Sequence, residues 1–142
     1  MATTYDGLPI SRTPPFGASI VVSCFIDGHR RYLLLHRAHE GPNYEGDWAW
    51  TPPAGSRFPG ESVDACAARE LAEETGLSGV LRAIPDSDHD WALFALDLEI
   101  QPEIRLDQEH DRYEWVSLAD ARLRCRPDAI VNGLNLVAST HL

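Results

Sequence analysis

The sequence predicts an α/β chain folded as an α/β/α sandwich with a mixed β-sheet. Three observations carry that expectation: two β-rich apolar runs ahead of residue 40, an acidic helical stretch over 62–76 followed by further strands, and an amphipathic helix near the C-terminus. Strands before a helix, strands after it and a last helix to cover the second face make a three-layer arrangement. At 142 residues the chain suits one domain, large enough to bury roughly two thirds of the surface its unfolded form exposes. Residues 1–16 are polar and proline-bearing and read as an N-terminal arm, leaving 17–142 as a single domain.

Residues 18–26, ASIVVSCFI, and 32–37 are apolar on both faces, the pattern of central strands covered on each side. Asp27-Gly28 between them is a hairpin turn signal, with His29 and Arg30 open to inclusion in the loop. From Ala38 the chain becomes a loop, and Pro52, Pro53 and Gly55 then fix its path into the acidic helix. Residues 80–84 and 91–98 read as a hairpin around the turn-forming PDSDHD at 85–90, and 113–116 as a short strand. Ser117 stands where a brief helix should start, and Pro127-Asp128 opens the last helix. There Ile130, Leu134 and Val137 recur at helical spacing and should cover one side of the sheet.

Twelve basic side chains face 22 acidic ones, a net charge of −10, and no basic block counters it. Tight binding along a nucleic-acid backbone needs several phosphates neutralised, so that class of partner is excluded. A small anionic substrate would need divalent cations to enter so acidic a site. Cys24, Cys66 and Cys125 are far apart and form no CxxC pair; they read as reduced thiols, two of them in the core, in a cytoplasmic protein. His36 and His39 have no Cys or His pair elsewhere to complete a zinc site. The first residues lack the basic and apolar regions of a signal peptide, and no run of about eighteen apolar residues offers a membrane span.

The stretch from Gly55 to Leu77 carries the chemistry. Ser62 suits the N-cap of its helix, Asp64 the positive end of the dipole, and Gly76 the left-handed close. On a wheel of about 100° per residue, Val63, Ala67 and Leu71 form a narrow apolar stripe, and Glu70, Glu73 and Glu74 crowd one arc at its edge. Glu70 and Glu74 repel at i,i+4, and only Arg69 stands near. Three glutamates on a helix can be no more than an acidic solvated face. A cluster of hard oxygen ligands equally suits Mg²⁺ or Mn²⁺.

The full spacing separates these readings. Gly55, five residues, Glu61, seven residues, then Arg69-Glu70-Leu71-Ala72-Glu73-Glu74-Thr75-Gly76-Leu77 resembles the signature of the Nudix hydrolases at each of its nine fixed positions. Residues 103–121, EIRLDQEHDRYEWVSLADA, resemble the matching region of the asymmetric diadenosine tetraphosphate hydrolases, as does Trp50-Thr51-Pro52-Pro53. The resemblance implies the Nudix sandwich, with Glu70 and Glu74 as principal metal ligands and Glu73 as a further ligand or base. It also implies the carbonyl of Ala54 as a ligand, Glu109 as a ligand or base from the opposite loop, Arg69 orienting the glutamates, and Glu61 bracing the loop. Substrate contacts are expected from Arg37 to phosphate and from Trp50 and Tyr113 to a base. Each has a plainer alternative, a surface arginine at a strand end and aromatic rings packed under a loop or helix.

Phosphoanhydride hydrolysis itself asks for this equipment. Divalent ions neutralise charge on the non-bridging oxygens, and positioned carboxylates serve both metal and water. No arrangement in the sequence activates a serine or cysteine nucleophile. The chain also departs from its relatives: Ala54 stands where the tetraphosphate hydrolases carry a lysine, and the connection after Leu77 is short. The sequence therefore points to a metal-dependent pyrophosphohydrolase for a nucleoside diphosphate linked to another group, such as a dinucleoside polyphosphate. Nucleoside triphosphates, nucleotide sugars and ADP-ribose are the alternative substrates, and a non-catalytic nucleotide sensor is the alternative class. No membrane partner is expected, and the residues leave a homodimer open.

Overall fold

A computed structural model describes residues 3, 4, 7–85 and 88–141 of the chain. The predicted turn over 85–90 and the start of the arm fall partly outside those residues. Asp27 and Gly28 both take positive φ, 52° and 79°, the geometry that a two-residue hairpin requires. They join β1 (Gly17–Ile26) to β2 (His29–Arg37), so His29 and Arg30 belong to the strand and not to the loop. The two strands pair antiparallel only from Ile26↔His29 to Ser23↔Tyr32, and then part.

Residues 50–56 fill the opening. β3 (Trp50–Thr51) pairs with β2 at Leu35 and His36, and β4 (Ala54–Ser56) pairs with β1 at Gly17 to Ser19. Pro52 and Pro53 make the crossing between them. Having no N–H, they leave no donor unpaired there, and the Pro53 carbonyl accepts from Ile20 N–H at 2.9 Å.

The other edge of β1 runs parallel to β6 (Trp91–Asp97), which carries the two-residue β5 (Arg82–Ala83) outside it. β7 (His110–Val116) lies antiparallel along the outer edge of β2, with its register broken between His36 and Arg37. One parallel pair among antiparallel ones makes the sheet mixed. The strand expected over 80–84 shrinks to two residues because it is the sheet edge, and Val80 stands in solvent. The strand expected over 113–116 begins earlier, at His110, because β2 extends far enough to pair with it.

Side chains alternate between two cores. Ala18, Ile20, Val22, Leu33 and Leu35 meet Cys66, Ala67 and Leu71 of α1 (Val63–Thr75) on one face. Val21, Tyr32 and Leu34 meet Ala121, Leu134 and Val137 on the other, below α2 (Leu118–Arg124) and α3 (Asp128–Ser139). The result is the predicted α/β/α sandwich. Ser62 caps α1 by accepting from Ala65 N–H, and Gly76 closes it at φ 75°. All three cysteines are buried and free, one more in the core than the sequence suggests. Among the described residues, no helix is long and apolar enough to cross a membrane.

The arm is tied down by one buried arginine. Arg57 Nε donates to the Pro15 carbonyl at 2.7 Å, Nη1 to the Glu61 carbonyl at 2.7 Å and Nη2 to the Thr13 carbonyl at 2.8 Å. Its backbone pairs as well, its N–H with Phe16 and its carbonyl with Ser11. Arg57→Ala should strand those carbonyls and lower stability by about 2–4 kcal/mol. A urea titration measures the loss, and unchanged stability would show that the guanidinium does not anchor the arm.

Candidate active site

The split between β1 and β2 decides where α1 rests. β4 enters the gap with Ala54 and Gly55, and the helix packs across it so that two of its glutamates are driven inward. Glu70 is 8% exposed and Glu74 3%, whereas the Glu73 side chain is 56% exposed. A Cβ on Gly55 would lie 2.0 Å from the Glu70 carboxyl carbon, so the carboxyl occupies the space that any side chain there would need. The backbone N–H of Ala54 donates to Glu74 Oε1 at 3.0 Å.

Buried carboxylates resist ionisation unless something compensates. Burial raises the pKa of Glu70 above the ordinary carboxylate range, against the pull of Arg69. Burial raises Glu74 further, and the charges of Glu70 and Glu109 add to it while only one backbone N–H relieves it. Charge deficits of this kind are met by protons or by a cation. The donors are hard carboxylate oxygens, which fit Mg²⁺ or Mn²⁺.

Arg69 organises the ends of these side chains. Nε and Nη2 grip Glu61 at 2.8 and 2.9 Å, Nη1 reaches Glu70 Oε1 at 2.8 Å and Glu73 Oε2 at 3.5 Å, and Nη2 also meets the Ser56 carbonyl at 2.9 Å. Its guanidinium lies 4.0 Å above the Phe58 ring. Glu61 in turn accepts from Phe58 N–H at 3.1 Å, which holds the loop ahead of the helix. The Arg69 hydrogen bond holds the Glu61 pKa below its ordinary value.

Glu109 comes from the far side of the chain. Arg105 N–H donates to the Thr75 carbonyl at 2.9 Å and Ile104 is buried, so residues 104–106 dock on the end of α1. The turn that follows is built on Asp107, whose Oδ1 accepts from Glu109 N–H at 3.2 Å and pairs with His110 Nδ1 at 3.1 Å. Ala38 N–H holds the Glu109 carbonyl at 2.9 Å. Asp107, Glu109 and His110 bring three ligand atoms within 4.8 Å of one another; among the described residues the helical glutamates do not join them at that spacing. Asp107 and His110 are absent from the set chosen on sequence. Their signal was the Asp-Gln-Glu-His order, with an acceptor two residues ahead of Glu109.

The remaining expected contacts divide between the faces. Tyr113, opposite Leu35 in the ladder, is 37% exposed on the α1 face, and Arg37 is exposed at the end of β2. Trp50 is 3% exposed on the opposite face, where its indole N–H donates to Glu45 at 2.6 Å and its ring meets His36 edge-on. A ring so enclosed offers no open face for a base, which corrects its expected role. The buried thiols are poor nucleophiles too, since burial pushes Cys66 up to about 11 and Cys125 up to about 12.

Comparison with known proteins agrees with this geometry. The NUDIX domain model matches residues 16–132. The chain is 32% identical over 111 residues to the asymmetrical bis(5'-nucleosyl)-tetraphosphatase of Rattus norvegicus, covering 68% of this chain and 71% of that protein. The fold resembles that of a C. elegans Ap4A hydrolase in a binary complex, with a TM-score of 0.70, 21% identity and coverage of 88% and 96%. It also resembles the NUDIX domain of Shewanella oneidensis NrtR complexed with ADP ribose, with a TM-score of 0.71, 14% identity and coverage of 99% and 94%.

Two outcomes are expected. Gly55→Ala must push Glu70 aside, costing about 1–3 kcal/mol and the carboxyl's placement, which melting curves and turnover would register together. Because Glu61 has a depressed folded pKa, it contributes stability above its unfolded value of 4.5 that is lost as pH falls through the folded one. Glu61→Gln should therefore flatten the acid limb in urea titrations below about pH 5, where the wild type loses that contribution. An acid limb identical to the wild type would remove Glu61 from the account.

Proposed function

The chain belongs to the NUDIX hydrolase family, and from that premise we propose that it hydrolyses a phosphoanhydride bond in a nucleoside diphosphate linked to another group, a dinucleoside polyphosphate foremost. The observation that carries this reading is the inward-facing pair Glu70 and Glu74 against Ala54-Gly55, with Glu109 presented from the opposite turn. Glu70, Glu74 and the Ala54 carbonyl would hold Mg²⁺ or Mn²⁺, with Glu73 and Glu109 as further donors. A bound divalent cation supplies neutralisation of the charge that builds on the non-bridging oxygens.

The protein's own groups do the rest. Arg69 fixes the Glu70 carboxyl and leaves Glu73 at the solvent side. Glu109, whose backbone is held by Asp107 and Ala38, is the residue proposed to accept the proton of the attacking water or to serve as a further ligand. Arg37, exposed at the end of β2, and Tyr113, on the α1 face, are the contacts proposed for phosphate and base. The tetraphosphatase relative directs attention to dinucleoside polyphosphates.

The test is a panel of dinucleoside polyphosphates, nucleoside triphosphates, nucleotide sugars and ADP-ribose, incubated with Mg²⁺ or Mn²⁺ and resolved by mass. Cleavage is expected, with a dinucleoside polyphosphate turned over best, and Glu74→Gln should slow it by about a hundredfold or more. Melting shifts without products would replace hydrolysis by nucleotide sensing. Asp107→Asn should lower turnover while the Mn²⁺-induced melting shift persists, because it loosens the Glu109 turn and leaves the helical carboxylates in place. Equal loss of both would put Asp107 among the metal donors.

A further inference from the structure

On the sheet face opposite the helical glutamates, Glu45, Trp50, Glu114 and three arginines, Arg112, Arg124 and Arg126, line a cavity of about 480 Å³. We propose that this cavity is an accessory phosphate site, which takes a phosphate group, free or carried by a nucleotide, without a divalent cation. It lies apart from the acidic centre. Trp50 pairs with His36 and Arg112 with the same residue from the other side, positions whose side chains alternate away from α1.

The first argument is charge. All twelve basic side chains of this −10 chain are arginines, and three of them converge on one hollow. Of the two carboxylates in the lining, Glu45 is engaged by the Trp50 indole N–H and Glu114 by Arg124. Three arginines against two glutamates leave the lining at a net +1 in a protein of −10, with Asp111 paired to Arg112 behind it, so the arginines at this hollow are where a small anion would be drawn.

The second argument is donor geometry. The guanidinium carbons of Arg112 and Arg124 each lie 5.1 Å from the Trp50 ring centroid, and that ring is itself fixed by Glu45 and His36. The hydrogen bonds of both arginines run through Nη1 alone, to Pro42, Asp111 and His36 Nδ1 for Arg112 and to Glu114 for Arg124. Nε and Nη2, the pair of donors that makes a fork on a phosphate, are left unspent. Among the described residues, no group pairs with the Arg126 guanidinium at all. Two held cations with spare donors and a third, Arg126, without a partner among the described residues, around a hollow of this volume, fit a phosphate with room for a nucleoside.

A third feature distinguishes the two sources of that phosphate. Trp48 is 45% exposed and sits at φ +66°, a conformation costly for a bulky side chain, with its N–H given to the Arg126 carbonyl at 2.6 Å. Trp48 is not in the lining, but its backbone is held to that of Arg126, and its exposed indole is the ring assigned here to a base; it would add nothing for inorganic phosphate.

Calorimetric titration in EDTA, with inorganic phosphate and with ADP as probes, tests the site while the acidic centre is without metal. One ligand per chain is expected, weakened about tenfold or more by Arg126→Ala, abolished by Arg126→Glu, and unchanged in Glu74→Gln. Melting curves should show both Arg126 variants folded, since among the described residues that side chain has no partner to lose. ADP binding more tightly than phosphate, with the difference removed by Trp48→Ala, identifies a nucleotide; equal affinities identify free phosphate. Absence of binding by either probe, or binding that survives Arg126→Glu, overturns the proposal. Metal-dependent hydrolysis by Arg126→Ala should match the wild type, so failure of this site and failure of the hydrolytic reading are seen separately.

Discussion

Keeping the Glu70 and Glu74 carboxyls out of water is the constraint on which the rest of the structure depends. Buried charges cost several kcal/mol each, and these two carboxyls have few partners: a guanidinium arm for one, a single amide for the other, and the hydrogen bond they share. Such an arrangement lowers the stability of the metal-free chain. A proton on the pair or a bound cation would supply the compensation. A glycine at 55 is part of the same constraint, because the carboxyl of Glu70 lies where a side chain would be.

The sheet is shaped to meet that constraint. Had β1 and β2 stayed paired along their full length, the backbone of Ala54 and Gly55 could not lie beneath the helix. Their parting admits residues 50–56 as a wedge, and the prolines at 52 and 53 cross the gap without unpaired donors. The same strand β2 then holds β7 on its outer edge. In this way the turn that carries Glu109 and the exposed Tyr113 are registered against a rigid neighbour and not against a loop.

Local chemistry wrote much of this in the sequence. Ser62 and Gly76 bound the helix, Asp27-Gly28 set the hairpin, and the alternation of 18–26 and 32–37 announced two covered faces. The spacing from Gly55 to Leu77 placed three glutamates on one arc but could not say which were buried. That depends on how far α1 rolls over β4, a packing result, and it separates Glu70 and Glu74 from the exposed Glu73. Trp50 misled for a similar reason: beside a loop, a ring looks available, and only the register with His36 turns it to the other face. Arg112, Arg124 and Arg126 lie on a strand, a short helix and the turn after it, and no periodicity relates them.

The wedge also separates two kinds of evolutionary freedom. Residues 38–49 leave the sheet from the end of β2 and re-enter it at Trp50, so additions or deletions between those points are absorbed outside the ladder. Such changes leave the glutamate pair undisturbed only where they spare Ala38, whose N–H holds the Glu109 carbonyl, and Glu45, whose carboxylate holds the Trp50 indole.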